Sequence, residues 1–501
     1  MNAGAFAAIA PLILIAGTAV AVMLAAAFCR RHGVVAVLTL VGIAAAGLAL
    51  AAAWRLAPRQ VTPLLLVDRP ALFYMGLILA AALVVCLLSW DYLGRCGADA
   101  GETAEPAALP PAAPRPRHEE YYILLLTATA GALTLVASAH FASLFLGLEL
   151  ISVSLFALVA YPRRNPLSLE AGVKYLILAG ASSAFLLMGM GLVYAVTGTL
   201  EFGRLPGAYL ASRESQVLAL AGVSLILVGI GFKLSLAPFH LWAPDVYQGA
   251  PAPVTAFVAT VSKGSVFALL LRYTQQLEVQ PRDSLFVILT VLAIASMFVG
   301  NWLALFQRNL KRLLAYSSIA HMGYLLVALL AGGAWAPQAV AMYLTAYFIT
   351  TLGAFGVVSV LSTREREADG LDDYRGLAWR RPWLAGVLAA MLLSLAGMPL
   401  TAGFIGKFYV LAAGVRSNLW LLVAVLAVNS AIGLFYYLRV LVTMFGPLTA
   451  AAGAPASVAA GAPPRGFIGC ATLGALTLAL VWLGVYPATL IRLVQAMFGT
   501  N

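Results

Sequence analysis

Charge is what this chain has least of. Only 10% of its 501 residues are Asp, Glu, Lys or Arg, against about 25% in a soluble globular protein. No polar stretch is long enough to fold as a domain of its own, so a soluble domain is excluded. Hydrophobic residues make up 62% of the chain and the mean hydropathy is +0.96. The expectation is therefore an all-α integral membrane protein. Cysteine is scarce too. Cys29, Cys86, Cys96 and Cys470 share no CxxC spacing and have no clustered histidines nearby, which argues against a disulfide framework or a metal centre and leaves packing roles. GxGxxG, P-loop and HExxH motifs and paired haem histidines are all missing, so no enzyme active site is expected within this chain. The net charge of +11 then speaks of membrane topology, with no nucleic acid implied.

Lysine is the rarest of the common cations. Of the 30 basic residues, five are lysines: Lys174, Lys233, Lys263, Lys311 and Lys407. Arginine serves wherever a loop needs a charge, yet four of the five lysines fall in apolar segments and only Lys311 is expected in a loop. A cation at bilayer depth costs roughly 2.5–3.5 kcal/mol on insertion scales. Arginine stays protonated, whereas a protein can tune lysine to load and release a proton. Four such residues at membrane depth point to proton handling. The bland alternative, snorkelling or structural pairing, accounts for one or two of them.

Hydropathy predicts about fourteen spans: 4–28, 34–54, 71–93, 121–138, 141–161, 168–197, 215–238, 253–276, 284–307, 311–331, 335–362, 382–415, 417–445 and 466–494. Spans 6 and 11 to 14 exceed the ~20 residues that a crossing requires, so tilt or interruption is expected there. The first span lacks a basic leader and precedes Arg30-Arg31, which predicts a retained helix. The organisation expected is a three-helix segment at 1–94, an Ala/Pro-rich linker at 95–119, helix blocks at 120–276 and 284–445, a small-residue loop at 446–465 and a C-terminal helix at 466–501. Placing both termini on the outer face puts sixteen loop cations inside and nine outside, the orientation favoured by the positive-inside rule.

The stretch Gly229 to Pro253 (GIGFKLSLAPFHLWAPDVYQGAPAP) is the most unusual. Lys233 is followed within a few residues by Pro238, His240, Pro244 and Asp245. Such a helix break must face protein or a water-filled cavity. Leu234-Ser-Leu-Ala-Pro238 is echoed by Leu393-Ser-Leu-Ala396 with Gly397 and Pro399, and Lys407 lies beyond that second break. Lysine before one break and after the other is what inverted halves would produce. Glu149 falls mid-span, and a carboxylate there is expected to pair with Lys233. Lys174 is the expected competitor or bridge, its alternative being a helix-end lysine at the interface. Lys263 lies near the centre of span 8. His321, beside Ser317, Ser318 and Tyr324, is open between relay and packing. His240 and Asp245 are expected to cap the break, and Arg439 to anchor lipid or a partner. Ser235, Ser262, Thr401 and Asn429 are expected to line a water path between sites.

These motifs resemble a known family. Leu146-Gly-Leu-Glu149, Glu170-Ala-Gly-Val-Lys174-Tyr175, the opening stretch through Gln248-Gly-Ala-Pro251, Tyr316-Ser-Ser-Ile-Ala-His321-Met-Gly-Tyr324 and Thr401-Ala-Gly-Phe-Ile-Gly-Lys407-Phe408 are similar to the antiporter-like membrane subunits of respiratory complex I. Within that family Val261-Ser-Lys263 and Lys407 favour the N type over the L and M types. The resemblance implies two inverted five-helix repeats, spans 4–8 and 9–13, with spans 7 and 12 discontinuous. It implies a coupling pair Glu149–Lys233, a central relay at Lys263 and an exit-side Lys407. It also implies no cofactor in this chain, with NADH, FMN, iron–sulfur clusters and quinone on other subunits. The partners implied are K-type and M-type membrane subunits and the lateral helix of the L type, in a bacterial inner membrane. The 95–119 linker departs from the family pattern. Two rival readings are a subunit of a cation/proton antiporter or membrane-bound hydrogenase, and an inert scaffold whose charges only fix packing.

Overall fold

The structure is a computed structural model that describes residues 3–28, 31–98, 118–162, 165–204, 213–277, 283–363, 366–447 and 466–498. Most of the linker expected at 95–119, nearly all of the loop expected at 446–465, and Cys29 lie outside these residues. In chain order the helices are α1 (Ala3–Ala8), α2 (Ala10–Phe28), α3 (His32–Trp54), α4 (Arg69–Ala98), α5 (Glu119–Val136), α6 (Phe141–Val159), α7 (Pro166–Thr197), α8 (Arg213–Leu234), α9 (Trp242–Gly249), α10 (Ala252–Phe257), α11 (Lys263–Gln276), α12 (Ser284–Leu305), α13 (Leu310–Leu330), α14 (Trp335–Leu361), α15 (Leu377–Arg380), α16 (Pro382–Ala396), α17 (Ala402–Arg416), α18 (Trp420–Phe445), α19 (Phe467–Val485) and α20 (Ala488–Phe498). A π-turn, Val258–Ser262, joins α10 to α11. Among the described residues twelve helices are long and apolar enough to cross a membrane. The two further crossings expected correspond to α5 and to the interrupted pair α16–α17, so the chain is a multi-pass, nearly all-helical membrane protein.

Local chemistry sets many helix ends. Asn165 caps α7, accepting from Leu167 N, and Pro166 follows at its first position. Asn309 caps α13 in the same way, accepting from Arg312 N. Of the long spans, α7, α14 and α18 run unbroken, whereas spans 12 and 14 are interrupted, the latter between Val485 and Ala488. A small antiparallel hairpin, β1 (Arg59–Thr62) and β2 (Leu65–Val67), was not expected. Helix α4 also runs on to Ala98, past the expected start of the linker. Lys311 is a second correction: it lies in the first turn of α13 and is fully buried. The reason is a carboxylate, Glu367, brought to it by the distant α14–α15 connection.

The centre of the molecule is polar-lined protein and its rim is apolar. The most apolar 18-residue stretch of Ala252–Gln276 is wholly buried and that of Leu310–Leu330 is 94% buried, whereas that of Ala10–Phe28 is only 17% buried. Close approach is needed to seat the central helices. Gly131 on α5 and Gly147 on α6 face each other so closely that a Cβ on either would stand 2.8 or 2.9 Å from the other's carbonyl oxygen. This is the small-residue packing by which membrane helices associate without a hydrophobic driving force.

Candidate functional site

The first break begins where α8 ends. Ser235 adopts a left-handed φ of 58°, and the chain turns through Pro238 and His240 before α9 starts at Trp242. Hydrocarbon cannot satisfy the backbone groups this frees, and side chains supply them. Ser296 Oγ accepts from Ala237 N at 2.9 Å, and Trp242 Nε1 donates to Phe232 O at 2.9 Å. Pro244 is buried in the first turn of α9. The Ser235 hydroxyl and His240 Nδ1 are buried without a protein partner, while the His240 ring hydrogen-bonds the backbone at Pro238 within the break.

Lys233 lies just ahead of this break. Its ammonium donates to Ser152 Oγ at 2.6 Å and sits 5.4 Å from the ring centre of Tyr175 and 5.6 Å from that of Phe232. Glu149 is half-buried on α6, three residues before Ser152, and accepts a hydrogen bond from Ser183 on α7. The expected direct ion pair is therefore replaced by two serine contacts on neighbouring positions. Ser152 on α6 takes the Lys233 ammonium and Ser183 on α7 the Glu149 carboxylate, so lysine on α8 and carboxylate on α6 stand close but not paired.

Lys174 is a clearer correction. It bonds Glu170 at 2.6 Å and Asp245 at 2.7 Å with 42% of its side chain exposed. Ser183, which meets Glu149, is nine residues along α7, about 13 Å away along the axis, so Lys174 bridges neither Glu149 nor Lys233. Asp245 also takes Arg312 at 2.6 Å. Burial alone would push its carboxyl up, but the hydrogen bonds from Lys174 and Arg312 hold it below its ordinary value.

Lys263 is fully buried at the first position after the π-turn, a distortion frequent at functional sites. It donates to Ser318 Oγ at 2.7 Å and lies 5.4 Å from the ring centre of Tyr247. The same Ser318 oxygen accepts from Tyr347 at 2.8 Å. One turn further along α13, His321 Nδ1 meets Tyr343 at 2.8 Å and its Nε2 meets Tyr437 at 3.2 Å. A small cavity follows, lined by His321, Tyr343, Tyr347, Thr350, Ser394 and Lys407 among others, with a water-accessible volume of about 10 Å³, on the order of one water molecule.

Lys407 closes the file. Its ammonium donates to Ala396 O and to Ser430 Oγ, both at 2.8 Å, and lies 5.4 Å from the ring centre of Tyr324. The second break is built around it. Gly397 has a φ of +87°, open to glycine without penalty, and an added Cβ would meet Lys407 Cδ at 2.7 Å. Pro399 is exposed in the turn that follows. Asn429 joins Asn301, Tyr324 and Tyr436 in one buried network, while Thr401 bonds the break itself through Met398 O at 2.7 Å. Arg439 donates to Leu305 O and Gln307 O, sealing the end of α12.

The structure thus brings Lys263, His321 and Lys407 into one polar file and places Lys233 and Glu149 beside each other, leaving Lys174 at the periphery. Sequence reasoning named Ser318 only as a neighbour of His321, and missed Ser152, Ser183, Tyr247, Tyr343, Tyr347, Tyr437 and Ser430. The tyrosines carried a signal, because a phenol within hydrocarbon needs a partner for its hydroxyl. The serines carried none.

The family profile described as NADH:quinone oxidoreductase/Mrp antiporter, transmembrane, matches residues 138–433. NADH-quinone oxidoreductase subunit N of Methylococcus capsulatus is 49% identical over 495 residues, covering 98% of this chain and 95% of that protein. A chain of respiratory complex I from Thermus thermophilus superposes with a TM-score of 0.77 at 32% identity, covering 96% of this chain and 98% of that one. A chain of the Mrp complex from Dietzia sp. shares the fold, with a TM-score of 0.80 at 20% identity, covering 99% and 97%. The chain belongs to the subunit N family of bacterial NADH-quinone oxidoreductases, within the wider group of antiporter-like membrane subunits.

Proposed function

We propose that the chain is a proton-translocating subunit of the membrane arm of an NADH-quinone oxidoreductase and that its buried lysines form the relay. The observation that carries this reading is the file from Lys263 through Ser318, Tyr347 and His321 to Lys407, with Lys233 and Glu149 at the other break. Quinone reduction on other subunits supplies the driving force. The step is electrostatic. When the pull of Glu149 on Lys233 is strong, Lys233 keeps its proton. When that pull weakens, the proton passes through water and hydroxyl groups to Lys263, on by His321 to Lys407, and out. Lys174 stands outside this path and serves the inner surface through Asp245.

Two further assignments follow. The blocks 120–276 and 284–445 act as two inverted half-channels, since lysine precedes the first break and follows the second. Glu149 and Ser183 are only partly buried and are flanked by exposed Leu146, Val153, Ile177 and Phe185. A carboxylate on a lipid-facing surface is costly, so this face is assigned to a neighbouring membrane subunit of the K or M type. The chain is placed in the bacterial inner membrane with both termini outside, as its loop cations favour. The test is proton transfer per NADH oxidised by the reconstituted complex carrying Lys263→Ala or Lys407→Ala. A wild-type ratio in either would refute the relay.

A further inference from the structure

The relay leaves one buried cation unused. Lys311, in the first turn of α13, has no exposed surface, and its ammonium is ion-paired to Glu367. The two groups do more than neutralise each other. Lys311 Nζ donates to Ala250 O at 2.6 Å. Glu367 Oε1 accepts from Ala252 N at 2.9 Å and from the Tyr92 hydroxyl at 2.9 Å. Ala250 and Ala252 flank Pro251, the junction at which α9 gives way to the buried crossing Ala252–Gln276. A single ion pair therefore grips the carbonyl before that proline and the amide after it.

Both peptide groups need such a grip. Ala252 N belongs to the first turn of a helix, where no intrahelical acceptor exists. Ala250 O has one other donor, Thr255 Oγ1 at 3.3 Å, which is shared with Tyr247 O and Pro251 O. Glu367 is itself fixed, because the α14–α15 connection that carries it wraps the start of α13. Leu310 N donates to Asp369 O at 2.6 Å, Asn309 Nδ2 to Asp369 Oδ2 at 2.6 Å, and Leu371 N to Arg308 O at 2.9 Å. A carboxylate with three donors and an ammonium with two acceptors are both satisfied. Through these bonds the pair ties the start of α13 to the backbone on both sides of Pro251.

The held helix is the one that presents Lys263. It meets α13 at two points, Ala250 against Lys311 and Lys263 against Ser318. Between these points lies the π-turn Val258–Ser262, which absorbs an extra residue and offers the helix an alternative register. We infer that Lys311 and Glu367 are a positioning pair: by clamping the two peptide groups around Pro251 they fix the register in which Lys263 meets Ser318. The inference rests on the relay reading for its effect on pumping, and on the clamp alone for its effect on helix order.

The test uses the assembled oxidoreductase in proteoliposomes, reading protons moved per NADH oxidised, with amide hydrogen exchange across 252–262 as a second readout and Lys263→Ala as comparator. Glu367→Ala is expected to lower the ratio to the Lys263→Ala level and to speed exchange in that segment. The charge swap Lys311→Glu with Glu367→Lys is expected to do the same. It restores opposite charges but leaves Ala250 O with only the shared Thr255 hydroxyl and takes the carboxylate acceptor from Ala252 N. Glu367→Gln keeps an acceptor, and its ratio should stay above that of Glu367→Ala. A swap that pumps at the wild-type ratio would show that charge alone suffices and would overturn the inference. So would wild-type pumping by Glu367→Ala. Where the swap does not assemble, equal ratios for Glu367→Gln and Glu367→Ala overturn it instead. Full pumping by Lys263→Ala would sink the relay reading, with exchange across 252–262 still deciding the clamp.

Discussion

The two helix breaks solve the same problem with opposite placements of lysine. At the first, Lys233 stands on the last turn before the break and touches none of its backbone: Ser296 and Trp242 satisfy the freed peptide groups, and the ammonium is left to Ser152 and two aromatic rings. At the second, Lys407 stands after the break and completes it, donating to the last carbonyl of α16 at Ala396. The first lysine has a carboxylate, Glu149, on the helix that holds its serine partner. The second has a carbonyl and a hydroxyl. Position relative to the break thus decides whether a buried lysine is free to answer a neighbouring charge or is also part of the scaffold.

The largest effects should break that comparison at its first half. In the reconstituted complex, Lys233→Ala and Glu149→Gln are expected to cripple proton transfer while NADH oxidation by the hydrophilic arm persists. Neither change removes a backbone partner, so assembly should be preserved. Full pumping in either variant would contradict the proposal. Lys233→Arg separates charge from titration. Arginine keeps the cation but cannot deprotonate in a protein, so proton output should fall although the Ser152 contact survives. Normal output would remove titration of this residue from the scheme.

At the second break the loss should appear in stability as well as in transport. Lys407→Ala leaves Ala396 O without the only side-chain donor the structure gives it. An unsatisfied buried group costs about 1–3 kcal/mol. Thermal unfolding of the complex should register this for Lys407→Ala and not for Lys233→Ala. Gly397→Ala should resemble Lys407→Ala, because the residue is left-handed and its new Cβ would press on Lys407. Equal unfolding temperatures for Lys233→Ala and Lys407→Ala would erase the distinction between the breaks.

How much of this was readable from the chain depends on range. The crossings, both breaks and the buried positions of Lys233, Lys263 and Lys407 follow from hydropathy and from proline and glycine, which act locally. The partners did not follow. Glu149 and Lys233 were expected to pair because they were the two strongest opposite charges at depth, yet Ser183 and Ser152 intervene, and nothing in a serine's neighbours announces a contact 34 or 81 residues away. Lys311 looked like a loop cation because its burial depends on Glu367, 56 residues on. Lys174 was drawn inward for want of its true partner, Asp245, which the break delivers to the surface. The intrachain contacts of Arg439 were hidden for the same reason: the carbonyls it meets lie at the end of a distant helix.

The smallest effect is expected at that surface, where Asp245 joins α7 to α13. It accepts from Lys174 on one oxygen and Arg312 on the other, which holds its carboxyl below the ordinary 3.8 despite a burial penalty in the opposite sense. A carboxylate depressed in the folded state contributes stability that is complete above its unfolded value and fades as pH falls through the folded one. The contribution is therefore full at neutral pH and is lost below about pH 4. Exposed pairs contribute about 0.2–1 kcal/mol and are screened by salt, and Lys174 is exposed enough to belong with them. Asp245→Asn should leave proton transfer near wild type, lower the unfolding temperature slightly at pH 7, and flatten the acid side of the stability curve. If Asp245→Asn stopped pumping as thoroughly as Lys233→Ala, the surface cluster would have to be counted with the first break, and the line drawn here between tunable and structural charges would move to include Lys174.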